Sequence, residues 1–540
     1  MTNGNDLLDE PTALGVIVGG SLSQGLEVRL TGEGVVEDAK VGTFVTVHGE
    51  RHKYFGIITD LSLESADGRL ASSIPHAAPA MSEVLAGTGA FALAKVTPML
   101  MTSVGEDDPQ PARSLPAHFA PVHRATNDDV ATIFGEEDAT HIYIGSPLDM
   151  EDTRVCLDLE ELVKRSNGVF GKSGSGKSFL TRILLTAIAQ RGLATHLIFD
   201  MHSEYGWQTT AEGGYTAKGL RQILQSGVSV FALDPDSARR RGLAPDVDVR
   251  IGLDEIEPED IAILASTLNI SEAGVNACYT LADRYGRRWI SYFLALDADG
   301  MAQLAADGEH AGALGALRRK LRDLERIGFI QEQAQSGGGA VRQVLEHLAS
   351  GRHVVMEFGR YGDNQTAYVL VANLITRRIH AEYRTRTEEA EANGTTQPKP
   401  LVITIEEAHR FLSPGIAGQT IFGTIAREMR KYRVTLLVVD QRPSGIDEEV
   451  LSQVGTRITC QLDNERDVDA VLRGAAGSRE LKGVLSRLES QQQALLFGHA
   501  LRMPVVVHTR DYQEFASEMA VPGWGRAAPV GPTDKADLFG

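Results

Sequence analysis

Apolar residues are distributed along this chain in two textures. Over roughly the first 130 residues they form short runs punctuated by glycine, from Leu14 to Val18, Leu26 to Leu30, Val41 to His48, Lys53 to Leu61 and Ala90 to Met99. Runs of that length with turns between them predict an all-β unit, a small barrel rather than an α/β layer. Residues 100–135 contain Pro, Asp and His with little periodicity and read as a connector. Beyond them apolar strands alternate with long helical patterns, the signature of a mostly parallel sheet covered on both faces.

That second texture is interrupted between Trp207 and about Gly339, where EPEDIAILASTL, AGVNACYTLADRYGRRWISYFLAL and GALRRKLRDLERIGFI repeat apolar residues at helical spacing. An inserted helical bundle is expected there. Arg318, Arg319, Lys320 and Arg322 fit a solvated helix face or the lining of a channel, and Arg239, Arg240 and Arg241 fit a surface turn. The polar segment from Arg384 to Pro400 reads as an exposed loop ahead of an apolar strand. The last residues are rich in Pro and Gly and form a tail, disordered or docked through Leu538 and Phe539. The expected organisation is barrel and connector in 1–135, the two parts of an α/β core in 136–206 and 346–515, the insertion in 207–345, and the tail in 516–540.

Composition narrows the setting. At 540 residues the chain supports several cores. No apolar run approaches a membrane span, the N-terminal residues lack the pattern of a signal peptide, and a cytoplasmic location without membrane contact is expected. Cys156, Cys278 and Cys460 are too few and too far apart for a disulfide framework or paired zinc spacing. The formal charge of -19 excludes a surface that is basic all over. It leaves open nucleic acid held only in a channel lined by basic loops.

The chemistry begins at Gly171. After the short strand ending in Val169 and Phe170, the run Gly171, Lys172, Ser173, Gly174, Ser175, Gly176, Lys177, Ser178 leads through Phe179 into a helical pattern. This is a P-loop: its glycines let backbone N–H groups turn inward around phosphates, and the helix N-terminus adds its positive dipole end. Lys177 would neutralise the β- and γ-phosphates of ATP, and the Ser178 hydroxyl would bind Mg2+. The apolar strand Leu401 to Ile405 ends in Glu406-Glu407-Ala408-His409. Glu406 would hold the metal, through water, and Glu407 would polarise the attacking water. The strand Thr435 to Val439 ends in Asp440-Gln441-Arg442-Pro443-Ser444. Gln441 there would sense the γ-phosphate, unless Pro443 marks only a turn. Arg427 and Arg430, on neighbouring turns, fit either solvent or the nucleotide site of a neighbouring subunit. The fold class expected is α/β: a RecA-like P-loop NTPase core with a mostly parallel sheet, an N-terminal small β-barrel and an inserted helical bundle.

The P-loop, the strand HLIFDMHSEYG from His196 to Gly206, EEAH at Glu406 to His409, and REMRKY followed by VVDQRPS occur collinearly. Together they resemble the HerA branch of the HerA-FtsK ATPases, which also begins with a small HAS barrel. The resemblance spans about residues 12 to 512. It implies nucleotide and magnesium roles for Lys177 and Ser178, Glu407 as catalytic base, Gln441 as sensor, Arg430 as the arginine supplied to a neighbour, and Arg165 as an arginine approaching the phosphates. Met429 and Ser203 depart from positions where that family has glycine. Homohexameric rings that translocate double-stranded DNA are also implied, with a NurA-type nuclease, or a sirtuin-like or nuclease effector, in DNA end processing or defence against phage. A secretion or conjugation ATPase, and a ring-shaped scaffold for an effector, are the alternative readings.

Overall fold

The N-terminal runs close on themselves. β1 (Ala13–Ser21), β2 (Gly25–Leu30), β3 (Phe44–His48), β4 (His52–Ser65), β5 (Ala90–Ser103) and β6 (Pro121–Arg124) pair in the order β2-β1-β6-β3-β4-β5, and β5 returns to β2. Closure leaves no unpaired barrel edge. Leu14, Ile17, Leu26, Val28, Val45, Val47, Ile58, Val96 and Val122 fill the interior. In β2 the alternation is visible in the sequence, with Leu26, Val28 and Leu30 buried and Glu27 and Arg29 exposed. A Cβ on Gly56 would lie 2.4 Å from the Thr97 carbonyl oxygen, at the bulge where β4 bends against β5. The stretch expected to be a connector supplies the closing strand β6 and the helix α1 (Asn127–Phe134), whose capping box joins Thr126 and Asp129. Four residues carry too little alternation to announce a strand; the open edges of β1 and β3 select it.

The computed structural model describes residues 12–31, 35–65, 90–103, 108–210, 214, 216–334, 339–418, 420–428, 431–475, 477–489 and 491–519. Met429, Arg430 and the tail from residue 520, with Leu538 and Phe539, lie outside the described residues. The chain divides into two units, one of Met1–Leu162, Val169–Lys177 and Gly455–Asp511, the other of Val163–Gly168, Ser178–Val454 and Tyr512–Gly540. To the first unit belong also β7 (His141–Pro147) and β8 (Val155–Asp158), an antiparallel pair. The strand β9 (Asn167–Phe170) leads into the P-loop, and α2 (Lys177–Gln190) leaves it.

The second unit is built on a parallel sheet. β10 (Thr195–Asp200), β11 (Val228–Ala232), β12 (His353–Glu357), β13 (Leu401–Glu406) and β14 (Val434–Asp440) lie in the order β11-β12-β10-β13-β14. All of their residues are buried, as expected for strands covered on both faces. β11 falls within the stretch read as helical insertion. Its five residues continue the sheet, and the helices gather later, in α3 (Glu272–Tyr285), α4 (Trp289–Ala295) and α5 (Ala311–Glu325).

A second difference concerns Arg384 to Pro400. α6 runs without a break over Gln365–Asn393, so the expected loop is helical for its first ten residues. The Asn364 side chain caps its start by accepting from the Ala367 N–H at 3.0 Å, and Gly394, in the left-handed region at φ 64°, ends it. Its polar half carries the i,i+4 pairs Arg386–Glu382 at 2.7 Å and Arg384–Glu388 at 4.0 Å. Such pairs add only about 0.2–0.5 kcal/mol each. The exposed half persists because it extends a nucleus already formed by the buried half, and helix propagation needs little more than good helix formers. In the first unit, β15 (Thr456–Cys460), β16 (Gln493–Gly498) and β17 (Val505–Thr509) form an antiparallel ladder that continues to β7 and β8.

Candidate functional site

The P-loop geometry follows from its glycines. Gly171, Gly174 and Gly176 sit at φ 153°, 74° and 96°. A Cβ on Gly171 would lie 2.7 Å from Ser175 Oγ and 2.8 Å from Cys460 Cβ, so only glycine lets the loop turn this tightly against β15. The Lys172 N–H donates to the Gln461 carbonyl at 2.9 Å, and its Nζ pairs with Asp463 at 3.1 Å. Ser175 Oγ donates to the Lys172 carbonyl at 2.8 Å, and Lys177 Nζ donates to the same carbonyl at 2.6 Å. Ser173 and Gly174 are exposed at the tip, Ser178 is half-buried at the start of α2, and Phe179 stacks on Tyr512 with ring centroids 5.3 Å apart. Beneath the loop Cys460 is fully buried, and burial pushes its thiol up to about 11.

In the second unit, four neighbouring parallel strands end in buried acids: Asp200 on β10, Glu357 on β12, Glu406 on β13 and Asp440 on β14. The carboxyl edge of such a sheet is where ligands bind. Each carboxylate has its own partner. Asp200 accepts from the N–H groups of Glu204, Tyr205 and Gly206 at 2.7, 2.9 and 3.0 Å; burial nevertheless pushes it up to about 6. Glu357 pairs with Arg241. Glu406 Oε2 accepts from the Met201 N–H at 3.2 Å, and its backbone carbonyl accepts from the Tyr368 hydroxyl at 3.0 Å. Burial, and after it the charges of Asp200 and Glu204, push Glu406 well above the usual carboxylate range.

Glu407 is held differently. Its backbone lies in the left-handed region at φ 46°, a conformation that costs a non-glycine residue on the order of 1 kcal/mol. The twist turns its side chain off the end of β13. Glu407 Oε1 accepts from Gln441 Nε2 at 3.1 Å, and Oε2 lies 3.6 Å from His409 Nδ1. Asp440 in turn accepts from the His409 N–H at 2.7 Å, contacts its Nδ1 at 3.0 Å, and accepts from the Arg442 N–H at 2.6 Å. Glu407 and Gln441, both expected from the sequence, are therefore brought together, and Asp440 and His409 join them.

The hydrogen bond to Asp440 is the largest influence on His409 and raises its pKa, against the opposing effect of burial. Because the folded value is raised, the stabilisation is complete below the ordinary histidine range and fades as pH rises through the folded value. Asp440→Asn is expected to move the His409 titration downward, read by histidine-selective NMR; an unmoved titration refutes the pairing.

The arginines separate. Arg427, exposed near the end of α7 (Ile421–Glu428), comes within 3.8 Å of Glu449. The Arg165 carbonyl accepts from Asn167 Nδ2 at 2.7 Å, and the residue is half-buried. Ser203, the departure from glycine, adopts φ 58°, a left-handed position that glycine occupies without strain. The partners that sequence reasoning did not assign, Asp200, His409, Asp440 and Tyr368, come from separate segments. The signal present in the sequence was that β10, β13 and β14 all end in acids; strand order was needed to align them.

The Gly171 cradle, which any Cβ would fill, has the close backbone approach that suits a nucleotide phosphate. Separately, Ser178 and Glu406 carry side-chain oxygens, the kind of donor that Mg2+ selects. Among the described residues, the acid and histidine atoms close enough to share a cation belong to Glu407, His409 and Asp440. No helix among them is long and apolar enough to cross a membrane.

Residues 142–379 match the family model described as helicase HerA, central domain, and residues 14–82 match the HAS barrel domain. A DNA double-strand break repair helicase HerA of Pyrococcus furiosus is 24% identical over 421 residues, 75% of each chain. A probable helicase of Methanocaldococcus jannaschii is 32% identical over 400 residues, 72% of this chain and 74% of that one. Among solved structures, the bacterial conjugative coupling protein TrwB covers 72% of this chain and 92% of its own at 12% identity, with a TM-score of 0.48.

Proposed function

The chain belongs to the HerA family of helicases and is an ATPase, and from that premise we propose that it works as a homohexameric motor that moves along double-stranded DNA. The observation that carries the catalytic part is the pair Glu407–Gln441, from the ends of adjacent parallel strands, with Glu407 twisted out of the strand to meet it. In this reading the N–H groups of Gly171 to Gly176 and the Lys177 ammonium bind the phosphates of ATP, and Phe179 continues that surface into α2. Ser178 and Glu406 would hold magnesium, Glu406 through water, and magnesium, when bound, would supply charge neutralisation on the phosphate oxygens. Glu407 orients the attacking water and takes its proton at the oxygen not engaged by Gln441. Gln441, bonded to that base and exposed, reports the γ-phosphate. Arg165 contributes charge from upstream of the loop, and Arg430, with Arg427 near it, reaches the site of the neighbouring subunit.

The relatives' names support DNA as the cargo, and a cytoplasmic setting accords with them. A NurA-type nuclease, or a sirtuin-like or nuclease effector, is the partner this reading assigns to the ring, in end processing or phage defence. The test is ATP hydrolysis with and without linear duplex DNA, with native mass measured on the same sample. Duplex-stimulated hydrolysis by a hexamer is expected; hydrolysis indifferent to DNA transfers the reading to a scaffold or another cargo.

A further inference from the structure

The helical insertion carries an aromatic and cationic surface that the nucleotide chemistry does not use. α3 ends at Tyr285, where Gly286 at φ 62° turns the chain, and α4 begins at Trp289. α4 buries Trp289, Ile290 and Phe293, and Trp289 Nε1 donates to the Ile256 carbonyl at 3.1 Å. Anchored in this way, α4 points Tyr292 outward at 52% exposure. The turn lays the Tyr285 and Tyr292 rings against each other, with centroids 5.5 Å apart and planes 26° from parallel.

Three arginines lie in the same stretch of chain as the stacked rings. Arg284 lies over the Tyr285 ring at 5.7 Å and is paired with Asp307 at 2.7 Å. Arg287 and Arg288 are exposed and form no ion pair with a described residue; the buried Glu255 is the nearby acid that feels Arg287. From Arg284 to Tyr292 the chain has three arginines and no acid, in a protein whose net charge is -19. Arg284 is neutralised by Asp307 and Asp283 precedes it, so Arg287 and Arg288 are the cations that remain beside the exposed aromatic face, a combination that complements a phosphate backbone with accessible bases.

We propose that Tyr292, backed by Tyr285, is a stacking platform for an unpaired base, and that Arg287 and Arg288 hold the flanking phosphates of single-stranded nucleic acid. Tyr285 stacks on one side of Tyr292, and the residue remains 52% exposed to take a base. Stacking of this kind tolerates any sequence, because every base has a π-face. The site deepens the DNA-motor reading and rests on it: it names where a single strand at a duplex end would be held.

The probe is fluorescently labelled oligo(dT), titrated by anisotropy against the full chain with its ATPase measured in parallel. Tyr292→Ala is expected to weaken oligo(dT) binding about tenfold, while Tyr292→Phe, which keeps the ring, retains affinity. Arg288→Ala is expected to reduce the salt slope of binding by about 0.7, the increment for one neutralised phosphate on a single strand. Hydrolysis without DNA stays unchanged in all three. Equal affinity in wild type and Tyr292→Ala, or no oligo(dT) binding by wild type, overturns the platform. If duplex DNA still stimulates the wild-type ATPase in that case, the motor reading stands alone; if it does not, both fall. Loss of capture of an effector protein by Tyr292→Ala, with oligo(dT) affinity intact, also overturns it and makes the patch a protein interface.

Discussion

Glu407→Gln is expected to lower steady-state ATP hydrolysis by about 10²–10³-fold while leaving ATP binding within a few fold of wild type, because a general base contributes on that scale. The geometry makes this substitution informative. Gln keeps the size of Glu407 and can preserve a hydrogen bond with Gln441, which the wild-type carboxylate accepts at 3.1 Å. It removes the proton acceptor without removing the neighbour. The strained backbone at φ 46° should also survive, since the two residues share their steric demands. Single-turnover hydrolysis together with binding of a fluorescent ATP analogue separates the effects. Retained hydrolysis would move the base elsewhere, and the neighbouring acids Glu406 and Asp440 would then be tested.

Lys177→Ala is expected to raise the dissociation constant for ATP by about 10–100-fold, since hydrogen bonds to a charged group contribute roughly 1.5–3 kcal/mol. Lys177 is mostly buried, and its Nζ is held 2.6 Å from the Lys172 carbonyl, a hydrogen bond internal to the loop. The ammonium is thus kept at the loop rather than in solvent, and its removal should be felt by the phosphates more than by the fold. Calorimetric titration of ATP checks the affinity, and thermal melting of the nucleotide-free protein checks the fold. Unchanged affinity would show that the loop binds without its lysine, and a large fall in melting temperature would show that the lysine is chiefly structural.

The differences between sequence and structure have identifiable causes. The loop expected over Arg384 to Pro400 is helical to Asn393 because its helix is nucleated by the buried residues Ala367 to Thr376, far outside the local window. β6 is four residues long and exists because two barrel edges stand ready to pair with it. β11 reads locally as a fragment of a helical region, yet the edge of β12 organises it in register from Val228 opposite His353. In each case a distant partner outweighs the local pattern.

Consecutive positions along the chain were enough to reveal the P-loop, the apolar strand ending in two glutamates, the Gln441 segment and the β-rich N-terminal unit. All of these are local: glycine spacing, hydrophobic period and adjacent polar residues are written side by side. It took the folded arrangement to establish that Asp200, Glu357, Glu406 and Asp440 end neighbouring strands, that Gln441 bonds Glu407, that Asp440 holds His409, and that Tyr285 and Tyr292 stack across a turn. Those relations depend on the order in which parallel strands assemble and on the angle at which helices leave a turn. Both are set by burial of apolar faces between segments far apart in the chain, which consecutive positions do not encode.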